Sequence, residues 1–174
     1  MPLIAIACVA KDYGLGKVNK ETGQGQLLFD IPADMKYFRN TTLGHICVFG
    51  YTTYLSLPKR PLKNRVNVVL WDKATSLDCL PGAITFSDFE QLLSFVKILA
   101  KEYKVYICGG ASLYKLFLPY YDQIDLDVVR ATDPDTTVFF PNLENTDFKL
   151  ELCSKFEKTD DTNGYYISHQ LWNK

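Results

Sequence analysis

The sequence predicts an α/β protein, a mainly parallel twisted sheet sandwiched in three layers between helices. Three observations carry that class. Short β-branched runs alternate with amphipathic helical patterns through residues 3–130. The early runs are apolar throughout rather than at every second position, as strands covered on both faces require. The last two runs, 149–156 and 165–172, have no helix between them and read as an antiparallel hairpin at a sheet edge.

The elements follow in order. Residues 3–10, LIAIACVA, make a buried first strand; a secretory leader would open with positive charge, and Met1-Pro2 does not. Residues 32–41 suit a helix, with Pro32 in its first turn and Asp30 as its cap. Strands over 46–49 and 66–70 flank a short helix over 51–57, and a further strand covers 83–85. The helix over 88–100 shows Ser87 as N-cap and Glu90 at the third position, then an apolar face of Leu92, Leu93, Val96 and Leu99. A strand over 105–108, a helix over 112–119 and a strand over 125–130 precede the hairpin, whose turn lies in Asp160–Gly164.

Composition bounds the function. The 174 residues suit a single domain over 1–174. With 47% hydrophobic and 22% charged residues, disorder is excluded. Nineteen basic against twenty acidic residues leave a net charge of −1, so no basic excess exists to neutralise nucleic-acid phosphates. No apolar run approaches the about 18 residues of a membrane span. The five cysteines form no CxxC and lie apart from His45 and His169, so no metal site is expected. Free thiols fit a reducing, cytoplasmic setting.

Four segments are candidates for chemistry. Cys108-Gly109-Gly110-Ala111-Ser112 joins a strand to a helix containing Leu113. Two glycines let a ligand approach the backbone, and a helix start offers free N–H groups, so the segment suits a phosphate cradle or a plain tight turn. Gly50-Tyr51-Thr52-Thr53 repeats that geometry, its hydroxyls suiting phosphate or a helix cap. Asp34 falls in the first turn of its helix, next to Met35 and four before Phe38. A carboxylate there suits pairing with a protonatable heterocycle, proton delivery, or complementing the helix dipole. The basic loop Lys59–Arg65 carries Arg60 and Arg65, suited to a ligand carboxylate or to solvent.

Together these residues resemble dihydrofolate reductase. The likeness covers nearly the whole chain and rests on four motifs in order: Ile4-Ala5-x-Ala7, Pro32-Ala33-Asp34-x-x-x-Phe38-x-x-x-Thr42, Gly50-x-x-Thr53-Tyr54-x-Ser56-Leu57-Pro58-x-Arg60-Pro61-Leu62, and Gly109-Gly110-Ala111-x-x-Tyr114. The resemblance implies an eight-stranded sheet with four helices and hydride transfer from NADPH to dihydrofolate. Asp34 would hold the pteridine and assist protonation at N5, and Phe29 and Asp127 would join it at the catalytic centre. Ile6, Cys8, Met35, Phe38, Leu57, Leu62, Cys108 and Tyr114 would line the substrate pocket. Arg65, supported by Arg60, would pair with the glutamate carboxylate. Ala7, Leu15, Gly16, Gly50, Tyr51, Thr52, Thr53, Leu70, Trp71, Asp72 and residues 108–114 (Cys108, Gly109, Gly110, Ala111, Ser112, Leu113, Tyr114) would hold the cofactor. A monomer is expected.

The departures are local. Phe29 stands where the family has Trp. The loop from Gly16 to Leu28 is longer than usual, which bears on closure. Tyr51 replaces the Arg that meets the 2′-phosphate of NADPH, Trp71-Asp72-Lys73 follows the next strand, and Ser112 replaces a position that is often basic. These changes predict that discrimination for NADPH over NADH is weak or even reversed. Asp127 replaces a Thr; in register, it faces Asp34, and two close carboxylates titrate as a pair. A one-residue slip would turn it to solvent. Two further readings stay open: a reductase of the same fold acting on another pteridine or pyrimidine, and a diverged homologue that binds folate or nucleotide without turnover.

Overall fold

The computed structural model describes residues 1–174. Its strands are β1 (Leu3–Ala10), β2 (Gly14–Val18), β3 (Gly25–Leu27), β4 (Ile46–Gly50), β5 (Val66–Leu70), β6 (Ala83–Phe86), β7 (Val105–Ile107), β8 (Gln123–Val129), β9 (Val138–Phe139), β10 (Lys149–Cys153) and β11 (Ile167–Asn173). The helices are α1 (Pro32–Thr42), α2 (Tyr51–Ser56), α3 (Phe89–Leu99) and α4 (Ala111–Phe117). Eight strands form one mixed sheet in the order β10-β11-β8-β1-β7-β4-β5-β6. The β1-β7-β4-β5-β6 run is parallel, and β11 is antiparallel to both β8 and β10. A separate antiparallel sheet, β3-β2-β9, was not expected from the sequence.

The chain divides into two compact units, one of residues 1–5 and 41–122, the other of 6–40 and 123–174. In the first, Val48, Val68, Val69 and Ile107 are fully shielded from solvent, as are Leu92 and Val96 of α3 and Phe117 of α4. Burying each such side chain stabilises by about 1.5–3 kcal/mol relative to leaving it exposed. In the second, Val9, Ile124, Leu126, Val129 and Leu143 are equally buried. Along β8, Asp125 and Asp127 share one face and Ile124, Leu126 and Val128 the other, because successive strand side chains alternate. Both faces are covered, so the two aspartates are buried with the apolar residues.

Several boundaries differ from the sequence reading. The cap of α3 is Asp88, whose carboxylate accepts from Gln91 N at 3.0 Å; Ser87 lies one residue outside. Asp30 does not cap α1: the helix starts at Pro32, and the free Ala33 N–H donates to Asp161 O of the hairpin turn at 2.9 Å. A backbone carbonyl thus satisfies an orphan donor that a side chain was expected to take. The strand expected over 105–108 stops at Ile107, that over 149–156 contracts to β10, and that over 165–172 starts later and runs one residue further as β11. The long loop from Gly16 to Leu28 is a hairpin, β2 with β3, closed by Asn19, whose backbone and side chain bond the turn.

Candidate active site

Asp34 sits in the first turn of α1, half-buried, with its carboxyl against that of Asp127. Burial, then the Asp127 charge, a hydrogen bond to Asp127 and the Asp125 charge push its pKa up to about 7. Two carboxyls in contact cannot both ionise cheaply, so Asp127 makes Asp34 harder to ionise. Cys8, on β1, lies beside both acids; burial foremost and their charges hold its thiol well above its usual range, so it stays protonated.

The acid pair belongs to a larger cluster that sequence reading missed. β8 and β11 pair His169 with Asp127 in register, and His169 Nδ1 lies 3.0 Å from Asp127 Oδ1. His169 Nε2 lies 3.6 Å from Asp125 Oδ1 and 3.4 Å from Tyr37 Oη. Tyr37 Oη donates to Asp125 Oδ2 at 2.7 Å. The signal was partly present: Tyr37 follows Asp34 by three on α1, which places both on one helix face. That His169 is the partner depends on strand register, which the sequence leaves open. Elsewhere in this unit, Phe38 is half-buried, Met35 is exposed, and the half-buried Phe29 ring meets Tyr165 edge-on at 4.9 Å. Ile6 and Ala7 lie on β1, Leu15 and Gly16 on β2. Lys17 of β2 bridges to Asp133 at 2.7 Å, tying the hairpin to the 133–137 loop.

In the other unit, Asn67 organises the basic loop. Its side chain accepts from Leu62 N and donates to Leu62 O, both at 2.9 Å, and to Arg65 O at 3.1 Å. Arg65 is half-buried, with one guanidinium nitrogen 3.2 Å from Thr42 Oγ1. The Arg60 guanidinium donates to Leu55 O at 2.7 Å, closing the end of α2. Leu57 and Leu62, flanking it, are half-buried.

The two glycine turns are knit together. Gly50 N donates to Gly109 O at 2.7 Å, and Cys108 N donates to Val48 O at 2.9 Å. Gly109 has φ +109°, where an L side chain is strained. A Cβ on Gly110 would lie 2.9 Å from Thr53 Oγ1, closer than such atoms pack. This is backbone that a side chain would fill, and it fits a dinucleotide's diphosphate. Gly50 is the N-cap of α2 and no side chain caps that helix, so neither Thr52 nor Thr53 takes the capping role. Tyr51 stacks flat on Trp71, with ring centroids 4.1 Å apart and planes within 5°. Leu70 ends β5, and Asp72 is exposed just beyond Trp71. Ala111 opens α4, with Ser112 exposed and Leu113 and Tyr114 buried. The free Cys108 thiol donates to Tyr106 O at 3.4 Å and shares a hydrogen bond with the free Cys47 thiol.

A cavity of ≈ 350 Å³ lined by Ile46, Val66 and Phe95 lies at the other, amino-terminal ends of β4 and β5. Ligands of parallel sheets sit at carboxyl ends, so this cavity is not the site.

Fold and site define a class, the α/β proteins of the dihydrofolate reductase fold. The solved structure of dihydrofolate reductase from Enterococcus faecalis complexed with NADP(H) and RAB-propyl matches with TM-score 0.81 at 21% identity, over 99% of this chain and 95% of that one. A sequence model of the dihydrofolate reductase family matches residues 2–174, and the chain belongs to that family. It is 31% identical to dihydrofolate reductase of Haemophilus influenzae over 80% of this chain and 82% of that protein. It is 30% identical to the viral dihydrofolate reductase of Saimiriine herpesvirus 2, over 100% of this chain and 86% of that protein.

Proposed function

We propose that this chain reduces 7,8-dihydrofolate to tetrahydrofolate, with Asp34 binding the pteridine and supplying its proton. The observation that carries the reading is the Asp34 carboxyl, held near pKa 7 by burial and by Asp127. Such an acid is half protonated at neutral pH, where an ordinary aspartate is not. When bound, a nicotinamide cofactor supplies the hydride. Adding hydride to the ring carbon leaves electron density on the adjacent nitrogen, and Asp34 offers the proton that nitrogen takes. The Thr42-supported guanidinium of Arg65 suits the carboxylate tail of the substrate. The glycine turns and Thr53 suit the diphosphate of the cofactor. A family match spanning 2–174 supports reading the chain as one domain, and its five free cysteines suit a cytoplasmic setting.

The cofactor is NADPH with NADH tolerated. The Tyr51–Trp71 stack and Asp72 stand where a cation for the extra phosphate was expected, and an adjacent carboxylate repels that phosphate. The test is a spectrophotometric assay with dihydrofolate and each cofactor. Asp34→Asn, which cannot give up a proton, is expected to lower kcat by about 10²–10⁴-fold. A wild-type chain that binds folate without turnover refutes the reading. An NADPH preference beyond about a hundredfold, equivalent to ~2.7 kcal/mol, refutes the cofactor reading alone.

A further inference from the structure

Asp34 lies against Asp127, two such carboxyls cannot both ionise cheaply, and only a proton on Asp34 serves the proposed reaction. The groups facing the pair come from four elements: Cys8 of β1, Tyr37 of α1, Asp125 of β8 and His169 of β11. Cys8 stays protonated, and Tyr37 spends its O–H on Asp125. His169 alone can be a cation here. Its side chain is 27% exposed, against 11% for Asp127 and 7% for Asp125, so it exchanges protons with solvent more readily than either acid.

We propose that His169 is a positioning residue that decides which carboxyl of the pair carries the proton. By donating Nδ1–H to Asp127 Oδ1 it keeps Asp127 ionised and leaves the proton on Asp34. No other bond forms or breaks. An ionised carboxylate has lone pairs for both donors, the Nδ1–H of His169 and the O–H of Asp34. A protonated Asp127 would instead have to point its single proton at one of them. The other ring nitrogen is provided for as well. Nε2–H faces the Tyr37 oxygen and the Oδ1 of Asp125, a buried atom with no hydrogen-bond partner. The imidazolium is therefore received at both ends, and the Asp127 hydrogen bond, foremost, raises the His169 pKa. This deepens the proposed reaction, and its kinetic consequence rests on that reading; the proton distribution does not.

The test follows the carboxyl carbons of Asp34 and Asp127 by NMR as pH is varied. In the wild type the step near neutral pH is expected on Asp34. In His169→Phe the step should move toward Asp127, the Asp34 share falling about tenfold, as loss of a hydrogen bond to a charged group implies. His169→Gln keeps an N–H donor without a charge and should restore the wild-type distribution. With dihydrofolate, kcat should fall in the same ratio in His169→Phe while KM for the cofactor stays unchanged. An unaltered carboxyl distribution in His169→Phe overturns the proposal. Asp127→Asn covers the case in which the phenylalanine variant does not fold: the His169 pKa should drop by about one unit or more, and an unmoved His169 titration overturns the proposal. A wild type without turnover refutes the reductase reading, while the carboxyl titration still decides the place of the proton.

Discussion

Replacing Asp34 by asparagine removes an ionisation that the fold opposes. In the folded chain the Asp34 pKa stands at about 7, against 3.8 for an ordinary aspartate. A raised acid binds its proton more tightly folded than unfolded, so it favours the fold fully at low pH. As pH climbs through the window from 3.8 to about 7, the unfolded chain releases the proton first, and stability is lost. The shift of about three pH units corresponds to ~4 kcal/mol. Asparagine has nearly the shape of the protonated acid and does not titrate. The variant should therefore match the wild type at about pH 4 and exceed it by ~4 kcal/mol at about pH 8. Urea unfolding of both proteins across that range measures the difference, and the carboxylates away from the Asp34 cluster cancel because both chains carry them in the same surroundings. A difference that stays flat to within about 1 kcal/mol would refute the argument that Asp34 is held protonated by its surroundings.

Asp127→Thr removes a negative charge beside Asp34, so the pKa of Asp34 should fall and the pH–rate profile move about one unit toward lower pH; the profile of kcat/KM checks it. Gly110→Ala places a methyl 2.9 Å from Thr53 Oγ1. Cofactor affinity by fluorescence titration should drop at least roughly tenfold, about 1.4 kcal/mol, and Thr53→Ala in the same chain should recover part of the lost stability. Asn67→Ala deletes three hydrogen bonds to Leu62 and Arg65. It should cost about 2–3 kcal/mol, seen as a Tm lower by roughly 5–10 °C, and raise KM for dihydrofolate as the Arg65 loop loosens.

Much of this architecture is legible in sequence because burial writes continuous apolar runs. β1 and β5 keep their predicted limits for that reason. Asp34 is legible because Pro32 fixes the start of its helix. Ser87 and Asp88 are both good caps one residue apart, and only the geometry of Gln91 separates them. The β3-β2-β9 sheet left little trace: β3 is three exposed residues, β9 is only Val138 and Phe139, and their pairing is tertiary. The His169–Asp127 contact spans 42 positions. Nothing local marks it, since its existence depends on how β11 aligns with β8.

The turn that clasps the start of α1 has a temporal consequence. Ala33 N–H is held by Asp161, and Asp30 O by Asn163, which lies 133 positions later in the chain. On a ribosome the acid-bearing helix emerges early and waits, its first turn without these two contacts, until Asp161 and Asn163 have been made. His169 is later still. The cluster around Asp34 is therefore completed only after His169 has been made, and a nascent chain stalled before residue 160 would carry Asp34 without the contacts that hold it in place.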